Sequence, residues 1–238
     1  MDTNDKIIER KRRIQEMFNG IAGRYDLLNH LLSGGIDVYW RRRALSKVRL
    51  KKPERVLDLA TGTGDFALAV GRLGVRWVVG ADVALNMVRL GKNKVIGRQP
   101  PVVLMGGDAE QLPFRAECFD LVTVAFGVRN FGSIATGLAQ AWRVLRPGGE
   151  MLILDFSEPT WPLFKQVYGF YFKRVLPLVG GLISGNRAAY AYLPQSVGFF
   201  PQGRAFLELM EEAGFAETKA TVLTLGIAHV YQGRKPVD

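Results

Sequence analysis

Residues 55–65, RVLDLATGTGD, constrain this chain more than any other stretch. A short apolar run (Val56, Leu57, Leu59) carries the acidic Asp58 and runs straight into a turn bearing Gly62 and Gly64, after which helix-forming residues begin. That order specifies a strand, a tight turn and a helix N-terminus. Glycine has no Cβ, so such a turn lets the backbone approach a nucleotide-like ligand closely. A second acid, Asp82, closes the next apolar run, WVVGAD, where a carboxylate is placed to accept both hydroxyls of a ribose. The two features together point to an adenosine-containing ligand.

The rest of the middle of the chain repeats the alternation. Strands are expected at 55–59, 77–82, 102–105, 119–125 and 150–156, with helices at 65–72, 85–94 and 134–145 between them. RPGG at 146–149 reads as a sharp turn. Strand–helix alternation implies right-handed crossovers and a parallel sheet with helices on both faces. A helix over 201–214 and two strands, 217–225 and 226–233, put an antiparallel pair at the far end.

Before the first strand, residues 5–50 read as helices. Ile7, Ile8, Ile14, Met17 and Phe18 fit one apolar face, and Ser33-Gly34-Gly35 marks a break. This divides the chain into a helical N-terminal cap, 1–52, and an α/β domain, 53–238. Within the second, residues 158–200 break the alternation with an aromatic, glycine-rich insertion.

With 238 residues, 48% of them hydrophobic, the chain can bury a large core. A single cysteine, Cys118, excludes an internal disulfide, and two distant histidines, His30 and His229, make a zinc site unexpected. No metal is expected. The charged first residues, MDTNDKIIERKRRIQEMF, do not read as a secretory signal, and no apolar run is long enough to cross a bilayer. A cytoplasmic location is expected, with peripheral contact at the inner face of the membrane. The net charge of +10, with basic clusters at 10–13, 41–43 and 51–52, favours an anionic partner or serves solubility alone.

The glycine turn by itself leaves a dinucleotide open, because Ala67 supplies a small residue after Gly64. The acids decide. Asp58 and Asp82 close the first two strands and Asp108 follows the third, in GDAEQLPF. Carboxylates at three strand ends suit S-adenosyl-L-methionine, whose methionine ammonium and sulfonium are cationic, and would repel a pyrophosphate. Taken singly, each acid also reads as an ordinary turn residue.

The segments VLDLATGTGD, GADVALNMV, GDAEQLPFRAECFDLVTVAFGVRNF and WRVLRPGGEMLILDFSEP resemble the class I methyltransferase fold. With RYDLLN near the start and LTLGIAHVYQGRKP at the end, the chain is similar over nearly its whole length to the UbiE-type menaquinone/ubiquinone-biosynthesis C-methyltransferases. The resemblance implies a Rossmann-like, mostly parallel seven-stranded sheet with an antiparallel C-terminal strand. It also implies methylation of a ring carbon of a prenylated quinol, demethylmenaquinol or the corresponding ubiquinone precursor, by S-adenosyl-L-methionine.

The cofactor set taken from the motifs is Asp58, Ala60, Gly62, Thr63, Gly64, Asp82, Asp108 and Ala109. Ala60 stands where a glycine is usual, and Ala125 where the family often has serine. Arg129, Asn130 and Tyr25 are the catalytic candidates. Arg129 and Asn130 are expected to hold a water and stabilise a developing phenolate, since an always-charged arginine is a poor base. Asp26, with Tyr25, is a candidate to line the site from the cap; Tyr190, Tyr192 and His229 are weaker candidates, and a plain salt bridge is the alternative for Arg129.

In the insertion, Phe164, Tyr168, Phe172, Leu176 and Val179 are expected to form a groove for the prenyl tail. Lys165, Lys173 and Arg174 are expected to meet anionic lipid. A buried helix pair or a homodimer contact is the alternative use of this segment. No nucleic-acid partner is expected, although the basic clusters keep an RNA or protein methyltransferase as a rival; a binding protein without turnover is a second.

Overall fold

The computed structural model describes residues 3–159, 161–171, 174, 178 and 187–237. Two helices come first, α1 (Thr3–Leu32) and α2 (Ile36–Leu45), separated at Ser33–Gly35 as the sequence implies. The chain then alternates through β1 (Arg55–Leu59), α3 (Asp65–Gly71), β2 (Trp77–Asp82), α4 (Leu85–Val95), β3 (Val102–Gly106), β4 (Phe119–Ala125), α5 (Ile134–Val144) and β5 (Leu145–Phe156). Helices α6 (Pro162–Phe170), α7 (Arg187–Phe199) and α8 (Arg204–Glu212) follow, and β6 (Ala216–Leu223) and β7 (Ala228–Arg234) close the fold.

The strands form one 7-stranded sheet in the order β3-β2-β1-β4-β5-β7-β6. The pairs among β1 to β5 are parallel, and β7 lies antiparallel between β5 and β6. Successive side chains of a strand point to opposite faces, so β1 feeds two cores. Val56 packs with Val78, Leu121 and Phe66 on one face, and Leu57 and Leu59 pack with Val122, Val124 and Leu138 on the other. Each fully buried aliphatic side chain contributes roughly 1.5–3 kcal/mol.

β5 begins earlier than expected. Residues 146–149 do not leave the sheet as a sharp turn; the strand starts at Leu145, opposite Phe119, and takes up the slack as a register shift before Glu150. Gly148 adopts φ 76, the left-handed conformation this bulge requires.

α1 is one continuous helix across Gly20 and Gly23. Ile14, Ile21 and Ala22 are buried, whereas Ile8 is 58% exposed and does not belong to the apolar face assigned to it. A polar face runs beside the apolar one. Lys11 contacts Asp108, Gln15 donates to the Val83 carbonyl, Asn19 accepts from the Asn86 amide, and Asp26 accepts from Thr63. Residues 11, 15 and 19 are four apart and so share a side of the helix. α1 is thereby drawn across the C-terminal ends of β1, β2 and β3.

Candidate active site

Strand order reverses direction between β1 and β4, and in sheets of this kind a crevice opens outside that point. Here it holds a cavity of about 330 Å³, roofed by α1 and lined from below by the turns after β1 to β4. The backbone at its floor is strained. Ala60 (φ 49) and Phe126 (φ 59) both occupy the left-handed region at the ends of β1 and β4. They are brought together closely: a Cβ at Gly127 would lie 2.4 Å from that of Ala60. The alanine in place of glycine in the β1 turn is accommodated because its neighbour across the crevice has no side chain.

Asp82 ends β2 at the cavity wall. Its Oδ2 accepts from the Gly62 amide at 2.8 Å and its Oδ1 from the Ala84 amide at 2.7 Å. Burial pushes its carboxyl above the ordinary value, and the two amides oppose that shift. Each oxygen retains a lone pair for a hydroxyl. Gly62, with φ 58, lines the cavity and presents bare backbone.

Asp108 and Ala109 also line the cavity. Asp108 Oδ2 meets Lys11 Nζ at 2.8 Å, and the same ammonium reaches Glu110 Oε2 at 2.9 Å. Burial works against the Lys11 charge, but the two carboxylates outweigh it and raise the lysine above its usual value.

Three predicted cofactor residues lie beneath the turn instead of on the cavity wall. Asp58 is fully buried and accepts from Thr61 and Thr123, each at 2.6 Å. Thr63 donates to Asp26 at 2.5 Å and accepts from Lys94 at 2.9 Å. Gly64 caps α3 with φ 86. These residues shape the loop; of the turn residues, Ala60 and Gly62 line the cavity.

Burial pushes the Asp58 carboxyl up to about 6, against the two threonine hydroxyls. Its folded value exceeds its unfolded one, so its contribution is fully present below pH 4 and is lost as pH rises to about 6. Asp58→Asn is therefore expected to remove a fall in unfolding free energy of up to about 3 kcal/mol between pH 4 and 6. Denaturant titrations of both proteins across that range check this; parallel pH curves would refute it.

The catalytic candidates are split. Asn130 lines the large cavity and accepts from the Tyr192 hydroxyl at 3.0 Å. Arg129 is 6% exposed and turns instead to a second, smaller cavity of about 70 Å³. There it pairs with Asp155 at 2.5 Å, donates to Ser196 at 3.3 Å and covers the Phe156 ring at 5.2 Å. The two neighbours line different cavities, because consecutive residues of a tight helical turn point to different sides. The salt-bridge alternative for Arg129 is present, with strand-end Asp155 as its partner. Tyr25 lines both cavities.

His229 lies on β7, where its Nδ1 is 2.6 Å from Ser157 Oγ and its ring stacks on Tyr231, and burial lowers its pKa. It lines neither cavity. Tyr168 packs against the buried cluster of Ile21, Ala22, Ala84, Met87 and Val197, and burial raises its hydroxyl pKa. Lys165 pairs with Glu158 at 3.0 Å, and Lys165 and Arg174 are exposed. The side chains of Phe164, Phe172, Lys173, Leu176, Val179 and Tyr190 lie outside the described residues.

Lys11, Gln15, Phe126, Ser33, Asp37 and Arg41 also face the two cavities, a site role the sequence does not assign to any of them. The four-residue spacing of Lys11, Gln15 and Asn19 was a usable signal, but their partners are remote in sequence. Among the described residues no cluster of metal-ligating side chains occurs, and no helix is long and apolar enough to cross a membrane.

The cavity wall thus carries Asp82, Asp108 and Glu110 against one lysine, an acceptor set that fits a cationic, hydroxyl-bearing ligand. Residues 6–235 match the sequence profile of the ubiE/COQ5 methyltransferase family. The chain belongs to that family. The demethylmenaquinone methyltransferase of Thermus thermophilus is 48% identical over 92% of this chain and 100% of its own length. The ubiquinone/menaquinone biosynthesis C-methyltransferase UbiE of Geobacter sulfurreducens is 46% identical over 97% of this chain and 91% of its own. In fold, the chain is similar to a SAM-dependent methyltransferase from Thermotoga maritima, with TM-score 0.67, 18% identity, and 92% of this chain and 99% of that one covered. Like its ubiE/COQ5 relatives, the chain is thus an S-adenosyl-L-methionine-dependent methyltransferase with the class I fold.

Proposed function

We propose that the chain methylates a ring carbon of demethylmenaquinol, using S-adenosyl-L-methionine. The observation that carries this is the near end-to-end match to demethylmenaquinone methyltransferases in a chain whose crevice is lined with acids. Bound there, S-adenosyl-L-methionine supplies an electrophilic methyl group on a sulfonium, so the protein's task is alignment and proton handling.

Asp82 holds the ribose hydroxyls, and Asp108 with Ala109 borders the adenine. Gly62 and Ala60 let the backbone approach, and Asp58, Thr63 and Gly64 fix the loop from below. Tyr25, at the join of the two cavities, and Asn130 orient the quinol hydroxyl. Arg129 sets a positive field beside the oxygen as it gains charge. The first 52 residues act as a helical cap, the remainder as the methyltransferase domain, and α1 excludes water from the site.

Phe170, 67% exposed, shares a surface hollow with Lys165 and Arg174, and Trp161 and Phe199 are also exposed, which supports peripheral contact with an anionic bilayer, the home of a prenylated substrate. A ubiquinone precursor is the second reading, supported by the name of the Geobacter relative.

Incubation with methyl-labelled S-adenosyl-L-methionine and each demethylated quinol, dispersed in detergent or in anionic vesicles, tests the proposal. Label is expected on the naphthoquinol, with protein floating with the vesicles. Label on neither quinol would overturn the function, and protein left in solution would overturn the membrane contact.

A further inference from the structure

Methylation of a ring carbon releases one proton per turnover. A carbon–carbon bond forms, the carbon–sulfur bond breaks, and the ring C–H bond gives up its proton to restore aromaticity; the hydroxyl that ionises first is reprotonated at the end. The proton leaves a site roofed by α1. The smaller cavity adjoins the large one, with which it shares Phe18, Tyr25 and Phe126. Its volume of about 70 Å³ admits a few water molecules. Its polar wall is built from Ser33, Asp37, Arg41, Arg129 and Tyr192.

Asp37 is the acceptor in that wall. It is 3% exposed, and its Oδ1 accepts from Ser33 at 2.8 Å while Oδ2 pairs with Arg41 at 2.5 Å. The same Oδ2 lies 2.9 Å from His30 Nδ1. Nδ1 is buried and off the line of an ideal hydrogen bond, and Arg41 Nε is likewise buried without an aligned partner. Burial opposes the Asp37 charge, but Ser33, Arg41 and His30 outweigh it and hold the carboxyl below its usual value. A carboxylate so held passes a proton on and does not keep it.

The ring of His30 spans from this buried carboxylate to the surface. Its side chain is 42% exposed, and Nε2 lies 3.6 Å from Asp65 Oδ2. The groups facing it are Asp37 and Arg41 on α2 and Asp65 on α3. Asp65 in turn pairs with Lys94 of α4, which also pairs with Asp26 of α1. A buried acid on a cavity, one ring away from solvent, has the geometry of a proton exit.

We propose that Asp37 and His30 carry the proton released by methyl transfer from the smaller cavity to solvent. This rests on the methyltransferase reading. Asp37 accepts at Oδ2 through cavity water, and His30 relays from Nδ1 to Nε2.

Two experiments test the relay. In the ligand-free protein, long-range proton–nitrogen NMR is expected to find neutral His30 protonated at Nε2, the side of Asp65, with Nδ1 left bare to accept from Asp37. A neutral ring protonated at Nδ1 overturns the relay. In turnover, His30→Gln is expected to lose roughly tenfold in kcat at neutral pH with KM unchanged, and added imidazole is expected to restore most of it. A structural role would give a loss that imidazole does not mend, and that result, or a loss under twofold, overturns the proposal. Label transfer by the unaltered protein reports on the methyltransferase reading separately, and the NMR arm needs no turnover.

Discussion

Asp82→Ala is expected to abolish measurable cofactor binding in calorimetry, an affinity loss of at least about 100-fold. Two effects add. The ribose hydroxyls lose a charged acceptor, and hydrogen bonds to charged groups are worth about 1.5–3 kcal/mol. The Gly62 and Ala84 amides, held at 2.8 Å and 2.7 Å by this carboxylate, lose their partner as well, so the glycine turn and the start of α4 relax. Asp82→Asn separates the two, because it keeps one acceptor oxygen for the backbone and gives up the charge. It is expected to lie between the alanine variant and the parent. Cofactor affinity in Asp82→Ala equal to that of the parent would refute the ribose assignment.

The second large effect is expected at Arg129. Arg129→Ala leaves Asp155, wholly buried, without its cation. Breaking a buried pair from one side costs about 3–5 kcal/mol. It also frees the Phe126 carbonyl, which Arg129 holds at 2.5 Å where the backbone is strained. Turnover is expected to fall by more than roughly 100-fold, as when an oxyanion-stabilising donor is removed, while cofactor affinity below the unfolding temperature stays near that of the parent. The double variant Arg129→Met with Asp155→Leu removes both charges and is expected to regain stability without regaining turnover. If it regained turnover, the arginine would serve only the fold. Thermal denaturation and labelled-methyl transfer on the same samples supply both readings.

The strands were legible because their signals are local. β1, β2 and β4 begin and end where the apolar runs and their closing residues place them. β5 was legible only in its second half, because the Arg146–Gly149 segment stays in the sheet by shifting register against β4, and that depends on its partner strand. In the site, the acids could be read from their positions at strand ends, but the direction in which each points could not. Asp58 shares the Val56 face of β1 and is sealed by Thr61 and Thr123, one of them 65 positions away. Arg129 and Asn130 looked like a pair in sequence and part company in a turn of three residues. Lys11, Gln15 and Asp37 were illegible for the same reason: each acquires its meaning from a cavity assembled by segments distant in the chain.

The seam between α1 and the sheet is sewn along one edge with charge and amide contacts, beside an apolar strip of Ile21 and Ala22 packed on Ala84 and Met87. The polar stitches trade readily with water, whereas the apolar strip holds the helix down. Dissolved ions weaken the stitches within a Debye length of about 8 Å under physiological conditions. Ionic strength is thus expected to loosen the charged edge of the roof, at Lys11 with Asp108 and Glu110, and to leave its apolar strip in place.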